Sequence, residues 1–494
     1  MCRRARARVR RHAGVHASAA AARHPLAAHR VRVADVRMSS GREFRPCEEC
    51  PPIPEGLEHR LRDRLHLAEL HRNATHWRGR LVLALALLGP GVLVMLGDND
   101  AGGVITYMQT GAAYGLGLFL PLMLLLGFVA YVVQEMTVRL GAVTRRGHAE
   151  LIWKRYGPFW GWFSLIDLIV ANVLTLMTEF IGIRLGGQAL GLSPWLTVPA
   201  ALVFVTVVLV FLRYWTWERI SLFVAAFNLI FVPLAVLAHP HWHAVAMAFA
   251  GQGWAVPGGL LSVTFLVLIS ANIGTTIAPW QLFFQQSCVV DKGLLPQDIR
   301  AGRRDLLLGV VGMVLVATAL IVLAAQTLKG APNVQQLDAE VVLAAVRAKL
   351  GTGMMALFAL GLMEAGLIAT IVITASSAWA VGEAFGIDRS LNAAPREALG
   401  FYLPAVAGTT VAAVLVMIPG LNLGFLNLSV QVIATVFMPA AMLFLLMLLN
   451  DRELMGEHVN SPRRNAVSIA IMVGLIACNG LYGLATIFPR VFGG

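Results

Sequence analysis

From Leu81 onward, apolar runs alternate with short polar loops. The runs lie near 81–113, 115–140, 158–186, 195–213, 219–238, 258–290, 304–327, 352–383, 398–419, 424–449 and 466–488. A helix needs roughly 20 apolar residues to cross a bilayer, so runs near 30 are expected to be tilted, broken or partly outside the hydrocarbon. The pattern predicts an all-α integral membrane protein with eleven transmembrane helices in a domain spanning 81–494. Two runs carry helix breakers at mid-depth. In the first, GDNDAGG puts Gly97, Gly102 and Gly103 beside Asp98 and Asp100. In the sixth, TTIAP ends on Pro279, which lacks a donor and disfavours helix before it. Backbone freed inside a bilayer is tolerated where it lines a cavity. The breaks are five spans apart, which predicts an inverted 5+5 repeat: repeat one about 81–238, repeat two about 258–449, and an extra helix at 466–488. In such folds the first helix of each half is discontinuous and substrate binds between the two.

Composition agrees. The chain is 57% hydrophobic and 13% charged, about half the roughly 25% of soluble domains. This excludes a soluble globular, disordered or collagen-like chain. The net charge of +12 would ordinarily suggest nucleic acid. Residues 1–80, however, hold 18 of the 39 Lys and Arg against 8 of the 27 Asp and Glu, so the charge reports a tail and no nucleic-acid partner is expected. The tail reads as basic, largely disordered and cytoplasmic. Residues 1–37 lack the apolar core of a secretory signal and are expected to be a start-site artefact, ahead of the alternative of a basic arm beside anionic lipid. Residues 57–80 fit a short amphipathic helix on the membrane surface. Cys47 and Cys50 have half of a zinc-ribbon spacing, but no second pair follows. Loops after the even-numbered spans carry sixteen Lys and Arg, and the opposite side carries five. The positive-inside rule then sets the N-terminus in the cytoplasm and the C-terminus outside a bacterial-type inner (plasma) membrane.

Acids within the spans are Asp98, Asp100, Glu135, Asp167, Glu179 and Glu364. Each costs several kcal/mol in hydrocarbon unless paired or hydrated. With no Lys or Arg near mid-depth, a bound cation is the natural partner. Asp100 sits in the break and is the leading candidate, a role compatible with capping the second half-helix. Asp98 follows, with a water-filled vestibule as its alternative. Glu179 either lines the cation path or bonds to a neighbouring helix. Thr275 and Thr276 offer oxygens at the second break. Asn427 and Gln431 share a helix face, near Ser429, and are read as cation-lining or interhelical. His239, His241 and His243 read as a solvated loop rather than a metal site.

These residues carry a resemblance. LGPGVLV followed by DAGG and Thr106, then QEMTVRLGAVT, TEFIGI and the sixth-span break resemble the Nramp divalent-metal transporters over roughly 80–490. The departures resemble the Nramp-related magnesium transporter branch. The family's Asp-Pro-Gly-Asn falls on Asp100-Ala101-Gly102-Gly103, and its Met-Pro-His on Ala278-Pro279-Trp280. The resemblance implies a metal-binding Asp100, a backbone carbonyl ligand at Thr275 and an amide ligand at Gln431. The asparagine ligand is lost at Gly103 and the thioether at Ala278. Glu179 is retained as the third-helix acid. Two positions of the proton relay are lost, at Trp280 and Leu176.

A thioether favours soft transition metals, so its loss leaves oxygen donors and extra volume. Magnesium keeps several waters and is bound by one or two carboxylates. The expected function is therefore alternating-access import of divalent cations, Mg2+ first and Mn2+ also, as a partly hydrated substrate, without proton coupling and without a resident cofactor. The alternatives are a proton-coupled Mn2+/Fe2+ symporter of the Nramp type and a sodium-coupled amino-acid transporter of the same fold. The acids of GDNDAGG would repel an amino-acid carboxylate. An intramembrane aspartyl protease would need two facing aspartates. Only Asp98 or Asp100 with Asp167 offers that, and a Gly-x-Gly-Asp signature is absent, so no enzyme is expected.

Overall fold

The computed structural model describes residues 86–487, apart from 332–336, 388–389 and 394, together with His76. The expectations for the basic tail, the surface helix at 57–80 and the Cys47/Cys50 pair lie outside the described residues.

The described chain is all-helical. Its helices are α1 (Pro90–Leu96), α2 (Ala101–Tyr114), α3 (Phe119–Thr144), α4 (His148–Tyr156), α5 (Pro158–Ala189) and α6 (Pro194–Phe211). There follow α7 (Tyr214–Ala226), α8 (Phe231–Leu237), α9 (Trp242–Phe249), α10 (Val263–Thr276), α11 (Pro279–Lys292) and α12 (Ile299–Thr327). The last are α13 (Ala339–Leu350), α14 (Thr352–Phe385), α15 (Leu399–Val416), α16 (Leu423–Leu449), α17 (Arg452–Met455) and α18 (Pro462–Ile487).

Among the described residues, ten helical segments are long and apolar enough to cross a membrane. The eleventh span is α1 with α2, whose halves are each too short alone. Start and stop signals are local. Proline opens α1, α5, α6, α11 and α18, where its missing N–H costs nothing. Asp100, Ser193, Ser262, Asp338 and Asn422 cap α2, α6, α10, α13 and α16 through their side chains. Gly293 and Gly386 close α11 and α14 in the left-handed conformation.

The broken helices stand at the centre. Nearly every residue of α2, α10 and α11 is buried, whereas α6, α15 and α18 present large apolar side chains outward, among them Trp195, Phe211, Leu403 and Val473. Such an apolar surface is what a bilayer would cover. Backbones pack closely around the breaks. A Cβ on Gly274 of α10 would collide with the Gln431 carbonyl and Thr435 of α16.

The structure differs from the expected pattern in its connections. Helices α4, α9 and α13 occupy stretches that read as polar loops. In α13 the cause is an amphipathic stripe, with Val342, Leu343 and Val346 buried behind an Asp338 cap. The fifth span begins at Tyr214 rather than 219 and passes through a 3-10 turn, Phe227–Ile230.

His148 opens α4 and is fully buried. Its Nδ1 lies 3.0 Å from Gln286 Oε1, and its ring meets Phe283 edge-on. Burial pushes the imidazole down to about 4 from the ordinary 6.5. The unfolded chain therefore binds the extra proton first as pH falls through 6.5. The fold should lose roughly 3 kcal/mol as the pH drops from 6.5 to 4. Thermal unfolding in detergent across this range is expected to show an acid-side fall that His148→Asn flattens; an equal fall in both proteins would refute the assignment.

Candidate metal-translocation site

Glycine and proline build the site. Helix α1 ends at Leu96 and α2 begins at Ala101, leaving four residues, from the C-cap Gly97 to the N-cap Asp100, outside regular helix. In the sixth span, Ile277 and Ala278 separate α10 from α11. The Thr275 carbonyl would accept the N–H of residue 279, but that residue is proline, so this oxygen has no helical partner.

The candidate ligands surround the start of α2. Asp100 caps that helix: its Oδ1 accepts the Gly103 N–H and lies 3.5 Å from Thr275 Oγ1. Glu179 on α5 holds the same end, since its Oε2 accepts the Ala101 N–H at 2.9 Å and its Oε1 accepts Thr178 Oγ1 at 2.9 Å. The Asp100 and Glu179 carboxylates are close enough to interact. Asn427 Nδ2 donates to the Gly102 carbonyl at 3.1 Å. Gln431 Nε2 sits against Gly102 with no acceptor, and rotating its amide would bring Oε1 to that position. Asp98 accepts from Gln281 of α11 through one oxygen.

Gly102 and Gly103 are necessary here. A Cβ on Gly102 would collide with Gln431, and one on Gly103 would approach Thr275 Oγ1 to 2.7 Å. The side chain absent at Gly103 is thus replaced by close approach of α10. Ala278, at the start of α11, is buried and offers only a methyl. Trp280 is buried against Phe284, and its carbonyl accepts Ser376 Oγ at 3.0 Å. Leu176 is buried one turn before Glu179. Thr276 is turned to its own helix, with Oγ1 donating to the Asn272 carbonyl at 2.7 Å and Tyr107 Oη at 3.4 Å.

Several buried oxygens here lack a donor: Asp98 Oδ2, Asn99 Oδ1, Asn228 Oδ1 and Asn427 Oδ1. Unpartnered acceptors around a carboxylate, with no Lys or Arg bonded to Asp98, Asp100 or Glu179 among the described residues, suit a cation. No three His, Cys, Asp or Glu side chains converge among the described residues. Donors here would therefore be one or two carboxylates with amides, a hydroxyl and backbone, a set that suits a hard ion keeping some water.

Other expected acids part ways with the site. Glu135 has cationic partners after all: Arg139 from its own helix and Arg303 from α12, at 3.2 and 2.5 Å. The Arg139 pair has the i,i+4 spacing of one helix face, whereas the Arg303 pair was hidden because it comes from a distant span. Asp167 is half-buried and bonded to none of the break residues. Glu364 is buried with neither oxygen partnered. His239, His241 and His243 form no metal cluster. Ser429 bonds only to the Phe425 carbonyl of its own helix.

The reading from sequence missed the amides. Asn228, in the 3-10 turn, donates to the carbonyls of Leu96 and Asn99 at 3.2 and 3.1 Å and so stabilises the first break. Gln281 bridges Asp98 to Gln134 at 3.1 Å, and Thr137 continues from Gln134 to Gln285. The available signal was a run of amides in apolar spans. The clasp on α1 was also missed. Asp305 of α12 accepts the N–H groups of Gly89, Gly91 and Val92 at 2.9, 2.6 and 3.3 Å. Beside it, Lys292 pairs with Glu218 at 2.9 Å and donates to the Leu88 carbonyl at 2.6 Å.

A family model described as natural resistance-associated macrophage protein-like (Nramp) matches residues 91–485. The divalent metal cation transporter MntH of Aeromonas hydrophila is 26% identical over 404 residues, covering 80% of this chain and 95% of that protein. The manganese transporter of Eremococcus coleocola, solved with an aromatic bis-isothiourea compound, superposes with a TM-score of 0.62 at 20% identity. That match covers 85% of this chain and 98% of the other. A mutant of the same transporter gives 0.60 at 19% identity, covering 85% and 96%.

Proposed function

Since this chain belongs to the Nramp family, we propose that it imports divalent cations, Mg2+ first and Mn2+ second, by alternating access around the two broken helices and without proton coupling. It is a multi-pass membrane transporter, not an enzyme. Its relatives' names supply the class of substrate, and the finer reading rests on this chain's own residues. Within the family it is assigned to the magnesium-transporting branch.

The observation that carries the magnesium reading is the donor set: Asp100, Thr275, Gln431 and Asn427 are oxygen-bearing, and Ala278 replaces the sulfur with a methyl. Asp100 and the Thr275 carbonyl are the direct ligands in this reading, with Gln431 completing the set. Gly103 contributes only backbone. Asp98 and Gln281 receive the ion next, and Gln134, Thr137 and Gln285 continue the polar route between α3 and α11.

Uncoupled transport follows from Trp280 and Leu176, which cannot carry protons. The membrane potential suffices as a driving force. A divalent ion gains about 4.6 kcal/mol per 100 mV, a gradient of about three orders of magnitude. The arginine-rich loops put the N-terminus and the α1 clasp on the cytoplasmic side. The proton-coupled alternative is favoured by one observation, the titratable Glu179 beside Asp100.

Ala278→Met tests the donor argument. Restoring a thioether is expected to lower Mg2+ uptake and raise Cd2+ uptake, each by about tenfold. Competition in proteoliposomes reads this directly. Unchanged preference in the variant would defeat the assignment of Ala278 as the selectivity position.

A further inference from the structure

We propose that the cleft between α3, α12 and α18 holds the phosphate headgroup of an anionic phospholipid. The cleft has a volume of about 410 Å³. Four arginines line it, Arg139, Arg303, Arg463 and Arg464, against one carboxylate, Glu135. A second recess shares Arg139, Arg303 and Arg464 and adds Arg300 and one carboxylate, Glu457.

Glu135, one carboxylate against four guanidiniums, neutralises only part of this charge. Both its oxygens are engaged, with Arg139 at 3.2 Å and with Arg303 Nε and Nη2 at 2.9 and 2.5 Å. Arg300, Arg463 and Arg464 have no acidic partner among the described residues. Arg139 is itself only 2% exposed: its Nη1 and Nη2 donate to the His458 carbonyl and to Asn460 Oδ1, and its buried Nε has no acceptor among the described residues. Arginine forks match phosphate oxygens in pairs. The N-termini of α12 and α18 add their positive ends at the same place.

The polarity gradient selects a lipid over free phosphate. Phe128, Val132, Met136 and Val467 line the cleft beside the arginines, and each helix carries exposed hydrocarbon beyond it. On α3 the run passes from Arg139 to Phe128 and Leu124, on α12 from Arg303 to Leu307 and Val311, and on α18 from Arg464 to Val467 and Val473. A headgroup among the arginines would lay its acyl chain down this groove. Anionic lipid is concentrated in the cytoplasmic leaflet, where the positive-inside orientation puts these arginines. The occupant would also fasten α18, which is otherwise little buried. The proposal does not depend on which ion is moved.

Native mass spectrometry of the full chain tests it, comparing phosphatidylglycerol with phosphatidylcholine. Phosphatidylglycerol should be retained preferentially, and Arg463→Gln with Arg464→Gln should cut its retention by about tenfold or more while leaving phosphatidylcholine adducts unchanged. Both residues are exposed, so folding should survive; metal uptake in phosphatidylcholine liposomes verifies that. Equal retention of the two lipids in wild type would overturn the proposal. So would an equal loss in an Arg145→Gln, Arg219→Gln control. Thermal stabilisation by millimolar inorganic phosphate matching that by phosphatidylglycerol would make the ligand free phosphate and overturn the lipid assignment.

Discussion

Asp100→Ala is expected to reduce Mg2+ and Mn2+ uptake into proteoliposomes to the level of empty vesicles, a loss of about 100-fold or more. Asp100 is the carboxylate at the first break, facing Thr275 across the second, and its environment lacks any cationic side chain bonded to it. Removing the charge removes the main reason for a divalent ion to leave water. The same residue caps α2, so the alanine variant also loses a helix cap worth about 1 kcal/mol. Asp100→Asn separates the two roles, since its amide oxygen can still accept the Gly103 N–H. Uptake should fail in both variants while thermal stability falls only in the alanine one. Uptake surviving in Asp100→Asn would move the ion to Asp98 or Glu179.

The second large effect concerns access rather than binding. In Asp305→Ala the N–H groups of Gly89, Gly91 and Val92 lose one shared carboxylate. A hydrogen bond to a charged group contributes about 1.5–3 kcal/mol, so the loss should be about 3 kcal/mol after relaxation. That corresponds to a shift of about 100-fold in the equilibrium between clasped and released α1. Hydrogen–deuterium exchange across residues 88–97 should rise accordingly, with α18 unchanged as an internal control. Asp305→Asn should fall between. Because α1 covers the first break, release would bias the carrier toward opening at the cytoplasmic end. Exchange at 88–97 that matches wild type would show that Lys292, through the Leu88 carbonyl, holds the helix alone.

The spans, the two breaks and their five-span separation were legible because hydrophobic length and helix breakers are local properties of the chain. Asp100, Gly102 and Pro279 could be singled out for the same reason: each disrupts an otherwise apolar helix. What escaped was relational. Arg139, four residues on from Glu135, was within sight as its partner, but the bidentate Arg303 is 168 residues away. Gln281 and Gln134 look like ordinary amides until α11 and α3 bring them together, and Asn228 does so until the 3-10 turn meets the first break. Asp305 reads as a loop-proximal acid, and only the return of α12 to the start of α1 makes it a cap. Helices α4, α9 and α13 escaped because their apolar stripes are too short to register as spans. Gly103 was legible as a lost ligand, but not as the contact that lets Thr275 approach Asp100.

In the proposed function, ion import is driven by the membrane potential alone. Its most direct measurement is Mg2+ uptake at a fixed inside-negative potential in proteoliposomes carrying an internal pH dye. Uptake is expected to scale with the potential, vanish in Asp100→Ala and leave the internal pH unchanged. Acidification that requires both Mg2+ and Asp100, and that disappears in Glu179→Gln, would contradict it and establish proton symport.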